Sequence, residues 1–254
     1  MKRLFLVLAL LFSPSLPAQA PAAVPISKEP HHHLVLENDY VRVFRVSVPA
    51  HDATLLHQHD VPYLYISLGP ADVINAVQGR PEARIVMADG QLSYSPGHFA
   101  HIARTDSDIP FNNVTIELLR PQGEPRNICE KIVDGPLNMN NCPAADSSAA
   151  VTAPSKLNWL KRLFETDDIV VVSWSLTVKR VDTEAGARRA RLLIACDKAE
   201  FRVDLPGEPS TSLHGGEIIW LNSGRTAAIS NLVEHGASRY FVVWFKDKDD
   251  AKKP

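Results

Sequence analysis

His57-Gln58-His59-Asp60-Val61-Pro62-Tyr63-Leu64-Tyr65-Ile66-Ser67 decides how the rest of the chain is read. Tyr63 to Ile66 is an aromatic and β-branched run entered through an Asp and a Pro, the pattern of a strand following a turn. On extended backbone, residues i and i+2 share a face, so His57 and His59 project into one space. Two neutral imidazoles so placed can chelate a metal at roughly 2.0–2.2 Å. Alone the pair says little: the chain has ten histidines, and Asp60-Val61-Pro62 also suits the end of an exposed strand.

Downstream, Gly90 is followed by Pro96-Gly97-His98-Phe99-Ala100-His101. Pro96 and Gly97 make a tight turn into a strand, and His101 falls on that strand. Upstream, the texture becomes β from Leu34, with Val41, Val43, Val46 and Val48 in one short segment; Val114-Thr115-Ile116 is a further run. Short β-branched runs between Pro, Gly, Asp and Asn clusters predict an all-β sandwich or barrel. Leu157 to Phe164 is the one stretch with a short-helix pattern. Residues 121–156 are polar and irregular, with Pro121, Pro125, Pro136, Pro143 and Pro154, and read as a connection.

After that connection the pattern restarts. Leu36 to Val43 resembles Phe164 to Val171 at an offset of 128, and Gly90 to Ser95 resembles Gly216 to Leu221 at 126. Val114 to Leu118 then faces Tyr240 to Trp244, again at 126. Two copies of one β unit are expected, and Val170, Val172, Trp174, Leu176 and Val178 give the second copy a strand with one apolar face.

The N-terminus has a positive Lys2-Arg3, an apolar Leu4–Phe12, breakers at Ser13, Pro14 and Pro17, and Ala18-Gln19-Ala20. This is the layout of a cleaved secretory signal, and about nine apolar residues are too few to span a bilayer. The expected location is periplasmic or secreted, with cleavage near Ala20 and no transmembrane segment in the mature chain. In that compartment Cys129 and Cys142 are expected to pair, whereas Cys196, inside an apolar run, reads as a buried hydrophobe. The net charge of −2 carries no basic patch of the kind that binds nucleic acid.

Together, His57, His59 and Gly69 with Gly90, Pro96 and His101 resemble the two motifs of the cupin superfamily, G-x5-H-x-H-x3/4-E-x6-G and G-x5-P-x-G-x2-H-x3-N. The resemblance implies two cupin-type jelly-roll barrels (double-stranded β-helices) in tandem. The expected division is a signal peptide at 1–20, an extended leader at 21–33, and a first barrel at 34–122. A connection at 123–156, a second barrel at 157–247 and a disordered tail at 248–254 follow. It also implies His57, His59 and His101 as ligands of a divalent transition metal: Fe, Mn, Zn or Ni. Four positions depart from the motifs. His51 stands for the first Gly, Tyr63 or Leu64 for the Glu ligand, His98 for the second-motif Gly, and Thr105 for the last Asn. At the offsets above, the second copy carries Ala185, Ala187 and Ala227 in place of the histidines, so it is expected to be structural.

Tyr63, Tyr65, Tyr94 and His98 are pocket candidates, with Tyr63 a wall rather than a phenolate ligand and His98 at the rim. His31-His32-His33 are expected to be exposed in the leader. Glu165, Asp167 and Asp168 are expected to form a solvated turn, and Arg188, Arg189 and Arg191 a charged loop. The functional expectation is a metal-dependent oxygenase or isomerase acting on a small polar molecule. The alternative is a non-catalytic small-ligand or sugar-binding protein of the cell envelope. A homo-oligomer is left open.

Overall fold

Val41–Val48 and Phe111–Leu118, the longest strands of the first half, pair antiparallel along their whole length, from Val41 opposite Leu118 to Val48 opposite Phe111. The computed structural model describes residues 22–127, 133–134, 140–142, 159–176, 181–182, 188–196, 198–233 and 236–247. Around the Val41–Val48 pair a seven-stranded sheet runs in the order Val133–Asp134, Asn140–Cys142, Leu92–Ser95, Tyr63–Ser67, Phe111–Leu118, Val41–Val48, His32–Glu37. A five-stranded sheet faces it, in the order Val24–Pro25, His57–His59, Phe99–Arg104, Ala71–Val77, Ala83–Met87. Phe44, Val46, Val48, Val73, Ile85, Met87 and Phe111 fill the space between the two sheets.

The second half repeats the arrangement. Its larger sheet runs Arg126–Asn127, Trp159–Glu165, Ile169–Leu176, Ser238–Phe245, Arg191–Ala195, Ile218–Leu221, and its smaller one Val181–Asp182, Ala228–Asn231, Glu200–Asp204, Thr211–His214. The ladders fix the repeat. Ile116 lies opposite Val43 and Leu64, and Val243 lies opposite Val171 and Leu192. The first three strands therefore correspond at 128, but Ile116 corresponds to Val243 at 127, which corrects the offset of 126 expected for that strand. A one-residue error matters because it turns every side chain to the other face.

The outer face of the first barrel's large sheet, with Val41, Val43, Leu64, Ile66, Val114 and Ile116, belongs to one continuous core with Ile169, Val171, Leu192 and Val243. Tyr40 packs its ring 5.2 Å from Trp220 and 5.1 Å from Phe245. Strands in this region are buried on both faces. This explains why Ile169–Leu176 reads as a nearly unbroken apolar run, with five buried residues at its start.

Several expectations are corrected. Residues Trp159–Glu165 form a strand paired with Ile169–Leu176, not a helix; the apolar pattern there was short and pairing with a long neighbour prevailed. The connection is not irregular throughout: Arg126–Asn127 extends the second barrel's large sheet and Asn140–Cys142 pairs with Leu92–Ser95. Asp168 is no solvated group. It is buried, 2.5 Å from Arg120 and 3.3 Å from the Gln122 amide. Arg191 is buried too, and donates from Nη2 to the Arg225 carbonyl at 2.8 Å. Cys196 is buried, as expected. Cys129, the Cys142 side chain, residues 1–20 and residues 248–254 lie outside the described residues, and with them the expected disulfide, signal peptide and tail. No helix among the described residues is long and apolar enough to cross a membrane.

Candidate metal centre

The strand His57–His59 has three residues, and both its histidines are buried with Gln58 turned away. On one side it pairs antiparallel with Phe99–Arg104, which sets His101 directly opposite His57 and Phe99 opposite His59. On the other side it pairs in parallel with Val24–Pro25, from the leader. One ring nitrogen from each of His57, His59 and His101 falls within 4.8 Å of the others. Among the described residues this is the one such cluster of metal donors.

Outside contacts turn the ring nitrogens inward. His57 Nδ1–H donates to the Leu55 carbonyl at 2.9 Å, and His101 Nδ1–H donates to Asn75 Oδ1 at 2.6 Å. In both rings this leaves Nε2 as the lone-pair nitrogen, the arrangement by which neighbours fix the tautomer of metal-binding imidazoles; His59 Nδ1 is buried without such a partner. His59 Nε2 lies 3.2 Å from His101 Nε2, and its ring stacks on Tyr63 at 4.1 Å. His57 Nε2 is buried without a hydrogen-bond partner. Burial pushes the His57 pKa down to about 4 and those of His59 and His101 well below the ordinary value. The rings are therefore neutral at physiological pH, the state that binds metal. Three neutral imidazoles with an orphaned inward nitrogen fit a divalent transition ion and leave coordination positions open; imidazole suits Zn, Cu, Fe and Ni alike.

The three histidines border a cavity of about 50 Å³ inside the first barrel. Its walls are mostly apolar, from Val46, Val73, Ile85, Met87 and Phe111, with Thr54, Asn75, Asn113 and Thr115 adding polar groups. Tyr63 and Tyr65 line it as expected. Burial raises the Tyr65 hydroxyl to about 12 and that of Tyr63 further, so both are phenols and Tyr63 is a wall. Tyr94 does not line the cavity. Its strand turns Ser93 and Ser95 towards Tyr65 and Tyr63, so Tyr94 faces outwards and packs 4.9 Å from Phe164 of the second barrel. His98 is exposed and does not line the cavity.

The departures from the cupin motifs have structural meaning. His51 and His98 are the two non-glycine residues with positive φ among those described, at 59° and 62°. Each stands where the motif has Gly, and each keeps the left-handed backbone that Gly adopts most readily. Gly97 cannot take a side chain, because a Cβ would lie 2.2 Å from the Val61 carbonyl oxygen. Thr105 donates from Oγ1 to the Pro49 carbonyl at 2.7 Å, tying the end of the His101 strand to the preceding loop.

Sequence reasoning missed four groups. Asn75 orients His101, and its signal was an amide on the apolar face of Val73-x-Asn75-x-Val77. Phe99 places its ring 5.4 Å from that of His101. Glu29 and His32 come from the leader, which is neither extended throughout nor wholly exposed. Glu29 is buried, and the His32 ring lines the cavity 4.7 Å from the His57 ring. His31 is half-buried and bonded to Glu29; His33 alone of the three is exposed.

Among the described residues the second barrel holds no comparable set. Ala227 is buried, and the small cavity there is lined by Leu193, Ala195, Phe201, Val203, Leu213, Ile229 and Tyr240. His214 is exposed, while Ala185, Ala187 and His235 lie outside the described residues.

No family model and no curated protein matches the sequence. Solved structures do match in fold. AerE from Microcystis aeruginosa is 8% identical, with a TM-score of 0.54, over 86% of this chain and 99% of its own. A cupin 2 conserved barrel domain protein from Leptotrichia buccalis is 9% identical, with a TM-score of 0.53, over 87% of this chain and 90% of its own. A salicylate 1,2-dioxygenase from Pseudaminobacter salicylatoxidans is 13% identical, with a TM-score of 0.53, over 81% of this chain and 71% of its own. At these identities the likeness is one of architecture: the chain has the cupin fold, in two tandem barrels.

Proposed function

We propose that this chain is an exported metalloprotein whose first barrel holds a divalent transition metal through His57, His59 and His101. In this reading the open coordination positions face a small organic molecule in the adjoining cavity, and the chemistry is oxygenation. The carrying observation is the convergence of three neutral imidazoles, two buried and one partly buried, within 4.8 Å at the wall of a cavity inside the first barrel. A space of about 50 Å³ holds a few waters, at roughly 10–15 Å³ each, or a small ligand group. A metal there supplies Lewis acidity and a binding point for oxygen or substrate. The likeness to a salicylate 1,2-dioxygenase supports this direction through the fold alone. The export half rests on the Lys2 to Ala20 layout.

A second reading, a non-catalytic small-ligand protein, is favoured by one observation: among the described residues no carboxylate lines the cavity to move a proton.

The test is metal analysis of protein purified without a histidine tag from the periplasm. The expected result is close to one equivalent of metal, lost in the His57→Ala/His59→Ala/His101→Ala variant. Less than a tenth of an equivalent under metal-replete conditions would overturn the metal site. Oxygen uptake by the loaded protein across a panel of small phenols and hydroxy acids separates the two readings: no uptake with any compound that binds favours the non-catalytic one. Peptide mapping of the same material should find a mature N-terminus near Pro21 and a Cys129–Cys142 linked peptide.

A further inference from the structure

The leader brings a carboxylate and an imidazole to the centre. Glu29 is 2% exposed although it carries a charge, and everything around it is a donor. Its carboxylate accepts from His31 N–H at 2.9 Å, from His31 Nδ1 at 3.0 Å, from His32 Nδ1 at 2.5 Å and from Leu55 N–H at 3.1 Å. Leu55 in turn offers its carbonyl to His57 Nδ1–H. Val24 N–H donates to the Leu56 carbonyl at 2.9 Å, so the same stretch of His57's approach is held at two points.

His32 is the member of this group that reaches the cavity. Its ring packs 4.7 Å from His57, 6.4 Å from His59 and 6.2 Å edge-on to Phe44. It stands outside the set of nitrogens that converge within 4.8 Å, so it flanks the metal position rather than closing it. In the tautomer that donates Nδ1–H to Glu29, Nε2 is the ring's remaining polar atom and its acceptor. It makes no hydrogen bond to the described protein and lies beside an otherwise uncharged wall.

We propose that His32, held by Glu29, is the group that recognises the molecule bound at the metal, by accepting a hydrogen bond from it through Nε2. The preferred ligands are then small metal-binding molecules that carry a hydroxyl or N–H next to the donor atom. This inference rests on the three-histidine metal reading. It adds a residue that the cupin motifs do not contain, from a segment that precedes them.

The test uses full-length mature protein loaded with Co(II), whose visible absorption reports ligands entering the coordination sphere. Two probes are titrated: acetohydroxamic acid, which coordinates and retains a hydrogen to donate, and azide, which coordinates and has none. The variants are His32→Phe, which keeps a ring and removes the nitrogen, and His33→Ala, on the exposed side of the same strand. In His32→Phe the Co(II) stoichiometry should be unchanged, acetohydroxamate affinity should fall about tenfold, as for one lost hydrogen bond, and azide affinity should stay within about twofold. His33→Ala should change none of these. Unchanged acetohydroxamate affinity in His32→Phe, or an equal loss for both probes, overturns the assignment of His32 and leaves the three-histidine site standing. Failure of the wild-type protein to take up Co(II) overturns the metal reading itself, and this inference with it.

Discussion

Asn75 is a neutral side chain placed where an aliphatic one would fit, between Val73 and Val77 on the inward face of its strand. Its oxygen accepts His101 Nδ1–H, which leaves His101 Nε2 as a lone-pair donor. Asn75→Leu should lower metal affinity by about 10–100-fold, the usual effect of removing a partner of a ligating imidazole, while Asn75→Asp, which keeps the acceptor, should not. Competition with a chromophoric chelator measures both, and equal affinities would show that Asn75 merely fills space. At this scale the sequence was informative where chemistry needs a particular residue type. His57, His59 and His101 stood out because their spacing on strands is rigid. The glycine positions stayed readable through the substituted His51 and His98, because the backbone there remains left-handed. Tyr94 misled because a tyrosine suits both a pocket and an interface. Only the pairing of Leu64 with Tyr94 and Tyr65 with Ser93 shows which face it takes.

Among the elements, the leader departs furthest from its sequence pattern. Its Ala/Pro-rich start gives no periodicity, and its pairing with His57–Gln58 joins segments about thirty residues apart through two ladder positions. Such contacts leave no local signature. The only clue was a charged residue among three histidines. Burial alone would push the Glu29 carboxyl up, but hydrogen bonds from His32 and His31, together with Leu55 N–H, hold it down at about 2. A depressed acid stabilises the folded state above its unfolded value near 4.5, and that contribution disappears as pH falls towards 2. The difference corresponds to roughly 3 kcal/mol at 1.36 kcal/mol per unit. Glu29→Gln should therefore be less stable than wild type by up to about that amount at pH 6–7, with the gap closing between pH 4.5 and 2. Urea midpoints across this range, taken without metal, are the measurement. A gap that stays constant down to pH 2.5 would show that shape, not charge, is what Glu29 contributes.

Over the whole molecule, the two barrels share one core rather than touching at a polar seam. The repeat was legible because both copies keep the strand order and nearly constant offsets. The join was not, because an apolar run buried on both faces looks the same whether it lies inside one barrel or between two. Val41, Val43 and Ile116 lie in one buried cluster with Ile169, Val171 and Val243, and Tyr94 reaches Phe164. The second barrel thus supports the sheet that carries Tyr63 and Tyr65. Two independent domains would melt separately; a shared core should give one calorimetric transition, with van't Hoff and calorimetric enthalpies equal. Tyr94→Ala removes a buried aromatic from the join and should cost about 3–5 kcal/mol. In a chain of this size that corresponds to a Tm lower by roughly 10 °C, with both barrels still unfolding together. Two resolved transitions in the wild-type protein would contradict the shared core. A Tyr94→Ala scan in which only one half shifts would place that residue inside a single barrel's stability rather than between the two.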